Sequence, residues 1–506
     1  MPAVWAARWQ AAPSAPVLRC EGEDGWWAGS QLDEATRRAA GALHAAGLGP
    51  GDRFLWSAEP SMPAVIACLG ALRLGAVVVP ANLAYTEREL RHVAGDVRPA
   101  VAVVERSDQA GWVAAAAPSV RAVLGPDLTP VDGAVASRVP AAERTVATPV
   151  PVEELDRAGA DDPALIVYTS GTTGSPKGAV LSHGNLLAGA RALALGWRWT
   201  PADRLVLALP LFHVHGLCAG LFGTLTAGAS AVVLPRFSPD GVLAAAADHR
   251  ANLFFGVPTM YHRLLSAGSA GELARLRLCV SGSAPLPAPL WGALRAQGGV
   301  EVLERYGMTE TLLTVSNPYR GERRPGTVGF PLPGVMARLA PLDDGGGGTP
   351  VEAGAEPAEG QLLVAGPSVF GGYWERPAAT EAAFEGRWFR SGDLAGWDPD
   401  GYLAILGRRN DLILSGGFNV YPAEVEDVLL AHPGVAEVAV AGEPSEEWGE
   451  TVAAWIVPAT SPPPVDALDA LVAERLAPYK RPRAYRFVDA LPRNAMGKVQ
   501  RDRLAP

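Results

Sequence analysis

Lysine is nearly missing from this chain. Of 43 basic residues in 506 positions, only Lys177, Lys480 and Lys498 are lysines, which leaves 40 arginines. Lysine is a compact point charge with a movable pKa, whereas arginine is a broad planar fork. All three survivors fall in glycine- or proline-marked segments, which singles out Lys177 and Lys498 as candidates to touch a reacting phosphate or carboxylate. Cysteine is scarce as well: Cys20, Cys68, Cys218 and Cys279 stand far apart in apolar surroundings, with no CxxC and no Cys/His cluster. That argues against a disulfide framework or a zinc site and for reduced core cysteines in a cytoplasmic protein. A basic excess is lacking too. The net charge of -10 argues against general binding to nucleic acid or to an anionic membrane, both of which need a basic face. No uninterrupted apolar span is long enough for a membrane helix. The richest stretch, 205–234, is broken by Pro210, His213, His215 and several glycines and reads as buried strand, turn and helix. The Ala-rich start, Met1 to Val17, carries Arg8 and no acid, a faint likeness to a transit peptide, but it has no long apolar h-region and so does not read as a secretory signal.

What is present is a core-forming composition, 48% hydrophobic, enough for more than one domain. The chain is organised around Tyr168-Thr169-Ser170-Gly171-Thr172-Thr173-Gly174-Ser175-Pro176-Lys177-Gly178, between the apolar runs 164–167 and 179–181. Its glycines and proline prevent regular structure, and its five hydroxyls add donors to backbone N–H groups that can turn toward one anion. Such a loop between strands suits a polyphosphate. It is not a Walker A loop, because Pro176 precedes Lys177 and Gly178 follows it, where that motif needs Gly-Lys and then Ser or Thr.

Along the chain, residues 31–48 read as an amphipathic helix closed by Gly49-Pro50-Gly51-Asp52, then a strand at 53–57, a helix at 63–74, a strand at 76–79, a helix at 87–93 and a strand at 100–104. This βαβ rhythm predicts a parallel sheet. Residues 116–158 read as loop or linker. The rhythm resumes with strands at 205–209, 231–234, 252–255 and 276–280, a helix after His215 and another at 238–247. Polar strand ends at 210–215, 256–259, 281–283 and 304–310 should converge on one cleft, because ligands in open α/β sheets bind outside strand C-termini. After Gly326 short strands and turns predict a small β subdomain, with the run 345–348 as a surface loop. The last boundary falls at Arg408-Arg409-Asn410-Asp411. Beyond it, helices at 424–431 and 467–476 with strands at 435–441 and 452–457 make a compact α+β unit. It ends in a mobile loop that carries Lys498.

Tyr168 to Gly178, Tyr306-Gly307-Met308-Thr309-Glu310, Arg390-Ser391-Gly392-Asp393, Gly407-Arg408 with Asn410-Asp411, Gly416-Gly417 and Gly497-Lys498 together resemble the adenylate-forming superfamily of acyl-CoA synthetases, adenylation domains and luciferases. The motifs stand in family order and span most of the chain. The resemblance implies an α/β fold: a large N-terminal domain of stacked, mostly parallel α/β subdomains plus a small β subdomain (1–409), and a small mobile α+β C-terminal domain (410–506) that carries Lys498. It implies ATP, Mg2+ and CoA as cofactors and cosubstrates.

Residue by residue, the resemblance makes Glu310 the magnesium carboxylate, a hard ligand suited to a hard cation, with Thr169 beside it on the metal. Ser170, Gly171, Thr172, Thr173, Gly174 and Lys177 would hold phosphates. Tyr306 would pack on adenine, with Ser281, Gly282, Ser283 and Ala284 as a backbone strip along it and Glu304, Gly307, Met308 and Thr309 near the nucleotide. Asp393 would accept ribose hydroxyls, with Arg408 in the same role. Lys498 would meet the substrate carboxylate and bridging oxygen, where developing negative charge needs a cation in a dry site; Thr169 and His213 join it and Glu310 as catalytic residues. The C-terminal domain would pivot at Asn410, where the family usually carries Asp or Lys, so that Ser415, Gly416 and Gly417 line the thiol path and Lys480 meets CoA phosphates. For the acid, Arg236 and Arg305 at strand ends, with His213, His215, Met260 and Ser281, resemble the malonyl-CoA and methylmalonyl-CoA synthetases. An arginine fork can bind a second carboxylate bidentately. The expected partners are a small dicarboxylate, ATP and CoA, with no nucleic acid or membrane, and the expected state is a monomer or weak homodimer. Rival readings are a monocarboxylate acyl-CoA synthetase, a free-standing adenylation enzyme that loads a carrier protein, and a catalytically dead nucleotide sensor.

Overall fold

The computed structural model describes residues 1–131, 150, 154–169, 176–342, 351–352, 358–415, 418–445, 448–493 and 498–504. The expectations placed on Ser170, Gly171, Thr172, Thr173, Gly174, Gly416, Gly417 and the run 345–348 lie outside these residues, as does the side chain of Asn410.

Two sheets carry the large domain. Val/Leu/Ile-rich runs buried on both faces are what parallel strands require, and strands Arg53–Ser57, Val77–Pro80 and Val101–Val104 are of this kind. They pair in parallel, with Phe54 opposite both Val78 and Val101. Among the described residues this sheet runs Gly372–Tyr373, Lys177–Ser182, Pro163–Thr169, Val77–Pro80, Arg53–Ser57, Val101–Val104, Ala122–Leu124. The last strand lies inside the stretch read as linker; a three-residue apolar run at a sheet edge leaves too little periodicity to see. The second sheet places Leu278–Ser281 between Leu253–Gly256 and Leu303–Met308, with Arg204–Leu207 and Ser230–Val233 beyond.

The helices begin where local chemistry caps them. Thr86 accepts from the Glu89 N–H while Glu89 reaches back to the Thr86 N–H at 2.9 Å, a reciprocal capping box that satisfies two orphan donors. Ser182 and Asn185 do the same at the start of His183–Gly196. The opening helix, Pro2–Ala11, buries Trp5 and Trp9. Trp5 lies 5.1 Å from the Phe222 ring, a pair worth about 0.5–1.5 kcal/mol beyond its buried area. Phe222 closes the segment His215–Phe222, which is wound as a π-helix, a geometry that recurs at functional sites.

The β subdomain is antiparallel, with Ala358–Ala365 between Met336–Ala340 and Trp388–Trp397, and Leu403–Arg408 on the far side of the last. A 3-10 turn, Arg409–Asp411, then leads into the α+β unit, where Val435–Ser445 and Gly449–Pro458 form a long hairpin under Pro422–Leu430 and Val465–Arg475. No helix among the described residues is long and apolar enough to cross a membrane. All four cysteines are buried and free.

Candidate active site

The antiparallel strands Pro163–Thr169 and Lys177–Ser182 bring Thr169 opposite Lys177, so the phosphate-loop stretch leaves and re-enters the sheet at one point. The base of the hairpin is pinned by the Tyr168 hydroxyl, which donates to Asp96 at 2.5 Å. Thr169 Oγ1 donates to the Lys177 carbonyl at 3.4 Å, and Lys177 Nζ lies 5.4 Å from the centroid of the Tyr373 ring. The Tyr373 hydroxyl in turn donates to Glu310 Oε1 at 3.0 Å. One aromatic side chain therefore touches both the loop lysine and the carboxylate expected to hold a cation. Glu310 is 5% exposed, and burial raises its pKa. A buried carboxylate with one oxygen committed to Tyr373 is a donor set that suits a hard divalent cation such as Mg2+.

Within the polar strand end expected at 304–310, Leu303–Met308 is regular strand that pairs back against Leu312–Ser316. The ladder shifts between Tyr306 and Gly307. A Cβ on Gly307 would sit 2.0 Å from the Leu312 carbonyl oxygen, so glycine is required there. The shift aims the Tyr306 hydroxyl at Asp393, to which it donates. Asp393 Oδ1 also meets Arg408 Nε at 2.8 Å, since Asp393 and Arg408 are register partners on adjacent strands. Ser391 Oγ accepts from the Asp393 N–H at 3.0 Å. Burial raises the Asp393 pKa, and Arg408 pulls it back.

Arg305 is 4% exposed, and its Nε and Nη2 are buried with no hydrogen-bond partner among the described residues. Burial pushes its pKa down to about 9, with only Glu304 opposing, so the guanidinium stays charged at neutral pH. It lies directly on Gly282, where a Cβ would come 2.4 Å from both Cζ and Nε. Around it stand His215, whose Nε2 is likewise buried and unpartnered among the described residues, and Ser281, whose Oγ is too. His215 Nδ1 is 3.2 Å from Ser283 Oγ, and Ser283 holds a left-handed φ of 70°, strain of the kind kept at ligand-binding turns. His213 Nδ1 accepts from the His215 N–H at 3.2 Å. Burial first, then Lys498 and Arg305, push its pKa down to about 3, so it is neutral.

Lys498 comes from the far end of the chain to the same place. Its pKa is lowered by burial and by Arg408, against the pull of Asp393 and Glu310. The residue as a whole keeps solvent-exposed surface. Lys177, Glu310, Asp393 with Arg408, the Arg305 guanidinium and Lys498 are thus brought together from distant parts of the chain. The arrangement can bind a nucleoside triphosphate and stabilise negative charge on a carboxylate attacking phosphorus.

Residues 5–374 match the AMP-binding enzyme family and residues 424–498 its C-terminal domain. The chain belongs to the AMP-binding enzyme family. It is an AMP-forming acid–thiol ligase that uses ATP, Mg2+ and CoA. It is 38% identical over 483 residues to the mitochondrial malonate–CoA ligase of Mus musculus, covering 89% of this chain and 80% of that protein. It is 37% identical over 477 residues to a feruloyl-CoA synthase of an Amycolatopsis species, covering 93% and 91%. The crystal structure of ATP-bound MatB from Rhodopseudomonas palustris superposes with a TM-score of 0.89 at 39% identity, over 99% of this chain and 97% of that one.

Several expected positions of this AMP-binding enzyme fall elsewhere. Arg236 is not brought to the cleft: its side chain is 82% exposed and pairs with Glu59 at 2.7 Å. The turn after Leu234 aims it at water, which strand-end position alone does not disclose. Lys480 is held by both oxygens of Glu424, at 2.6 and 2.7 Å, on a cavity of about 700 Å³ between the β subdomain and the C-terminal unit; as placed, it offers no free ammonium to a CoA phosphate. Glu304 points away from Arg305, as neighbours on a strand do. It accepts from the Leu286 N–H at 2.8 Å and so anchors the loop after Ser281 instead of facing nucleotide. Met260 packs between two core clusters. Met308 Sδ lies 3.7 Å from the Tyr306 hydroxyl oxygen, and Ala284 is exposed. Ser415 is buried at the end of the short strand Ile413–Ser415, where it pairs with Gly449. Sequence reasoning missed Tyr373 and gave Ser391 no role. Both sit in glycine-marked segments, Gly371-Gly372-Tyr373 and Ser391-Gly392, and that was the available signal.

Proposed function

We propose that the acid is malonate or methylmalonate. A carboxylate oxygen attacks the α-phosphorus of ATP and pyrophosphate leaves; the CoA thiolate then attacks the acyl carbon and AMP leaves with the bonding pair. The observation that carries this reading is the buried Arg305 guanidinium with two unpaired nitrogens. Leaving such a group unpaired costs several kcal/mol, on the order of 1–3 per unsatisfied donor, unless a substrate anion completes it. A second carboxylate does so; an aliphatic or aryl tail leaves it stranded. Relatives that carry malonate in their names support the same reading.

In this reading Lys177 and the preceding loop take the phosphates, Glu310 with Thr169 takes Mg2+, and Asp393 with Arg408 takes the ribose. Lys498 follows the charge that develops during adenylation. His213, His215 and Ser281 complete the acyl wall. Residues 1–409 and 410–506 act as two domains that pivot at the turn around Asn410, and Ser415 lies on the thiol side after the swing. Lys480 reaches CoA only after leaving Glu424. We place the enzyme in the cytoplasm, on its four buried free cysteines, as a monomer or weak homodimer without nucleic-acid or membrane partners; sizing and fractionation test this.

The deciding experiment presents malonate, methylmalonate, propionate, octanoate and ferulate with ATP and CoA, and reads the acyl-CoA products by mass spectrometry. Malonyl-CoA or methylmalonyl-CoA should dominate. A monocarboxylate turned over with higher kcat/KM would overturn the diacid assignment.

A further inference from the structure

Tyr373 belongs to a short segment that the sequence places far from both the phosphate loop and Glu310, yet the chain ties it to each. The Phe370 N–H donates to the Glu310 carbonyl at 2.7 Å, the Gly371 N–H to the Val180 carbonyl at 3.2 Å, and the Trp374 N–H to the Gly178 carbonyl at 2.7 Å. Gly372 and Tyr373 form a strand against Val180 and Ala179. The Tyr373 N–H is held by Thr380 Oγ1 at 2.9 Å, and the Phe370 ring packs edge-on at 4.9 Å. The segment is thus a backbone clip between the strand that leaves the phosphate loop and the carboxylate across the cleft. Within that clip the Trp374 indole N–H turns to the Asp96 carbonyl at 3.3 Å, whereas the Tyr373 hydroxyl donates to Glu310 at 3.0 Å and its ring centroid lies 5.4 Å from Lys177 Nζ.

We propose that Tyr373 is a positioning residue that sets Glu310 and Lys177 at a fixed spacing, so that cation and phosphate are received together. The hydroxyl fixes the rotamer of the carboxylate, and the ring face attracts the lysine ammonium. The two contacts are separable. Tyr373→Phe removes only the hydroxyl; Tyr373→Leu removes the ring face as well. The proposal rests on the reading of Glu310 as the cation carboxylate and is independent of which acid is activated.

The test measures ATP affinity by titration calorimetry with acid and CoA omitted, once with excess Mg2+ and once with a chelator. For Tyr373→Phe, ATP affinity should fall about tenfold with Mg2+ and be unchanged with the chelator. For Tyr373→Leu it should fall under both conditions. Combining Tyr373→Phe with Glu310→Gln should cost no more than Glu310→Gln alone. Equal losses with and without Mg2+ for Tyr373→Phe, or a lowered thermal midpoint with the Mg2+ effect intact, would make Tyr373 merely structural and overturn the proposal. If Glu310→Gln by itself leaves the Mg2+ effect whole, the reading of Glu310 fails instead.

Discussion

Replacing Arg305 by methionine keeps much of the side-chain volume and removes the charge. The guanidinium is buried, two of its nitrogens have no partner among the described residues, and Glu304 faces the other side of the strand. Two consequences of opposite sign follow. Toward malonate, one partner of a buried, hydrogen-bonded ion pair is lost, which costs about 3–5 kcal/mol. At about 1.4 kcal/mol per tenfold, kcat/KM for malonate falls by roughly two to three and a half orders of magnitude, whereas the KM for ATP moves by less than about threefold. Toward folding, two buried unpaired nitrogens are removed, so the free enzyme gains about 1–3 kcal/mol for each and its thermal midpoint rises. AMP release across malonate and ATP concentrations, with thermal unfolding in the absence of malonate, measures both. Arg236→Ala is the control: an exposed surface pair with Glu59 predicts unchanged constants for either substrate. Equal shifts in the malonate and ATP constants of Arg305→Met, or an Arg236→Ala variant that alone loses malonate, would refute the assignment of the second carboxylate to Arg305.

Other outcomes follow from the same geometry. Gly282→Ala puts a Cβ where the Arg305 guanidinium lies; overpacking of this kind costs about 1–3 kcal/mol, so malonate kcat/KM drops roughly five- to hundredfold, and the Arg305→Met, Gly282→Ala double variant is no worse than Arg305→Met, a non-additivity read by a double-mutant cycle. Burial pushes the Glu304 pKa up to about 8, against the Leu286 N–H that lowers it. The native state then binds this proton more tightly than the unfolded chain, so the contribution to stability is whole below about pH 4.3 and is lost as pH rises toward 8. Glu304→Gln should flatten that slope in denaturant titrations from pH 5 to 8, and a variant as pH-sensitive as the parent would reject the account. Lys498→Ala should slow pyrophosphate release from ATP and acid by about two to three orders of magnitude while CoA still clears a supplied acyl-adenylate. Equal slowing of both half-reactions would remove Lys498 from the adenylation step.

Local residue patterns were enough to read off the elements and the chemistry that depends on contiguous residues. Apolar runs bounded by turns marked the strands Arg53–Ser57, Val77–Pro80 and Val101–Val104, because burial on both faces demands Val, Leu and Ile. The scarcity of lysine pointed to Lys177 and Lys498 because a point charge cannot be exchanged for a planar fork without loss. Which of the two arginines is buried became visible with the fold. Arg236 and Arg305 both end strands in the sequence, but a strand reports alternation and not the direction of the turn that follows it, so one reached water and the other was sealed against Gly282. Tyr373 was invisible for a related reason: its partners Glu310, Val180 and Lys177 are distant along the chain, and strand pairing across such distances is fixed by packing of the whole domain, not by any local pattern of residues.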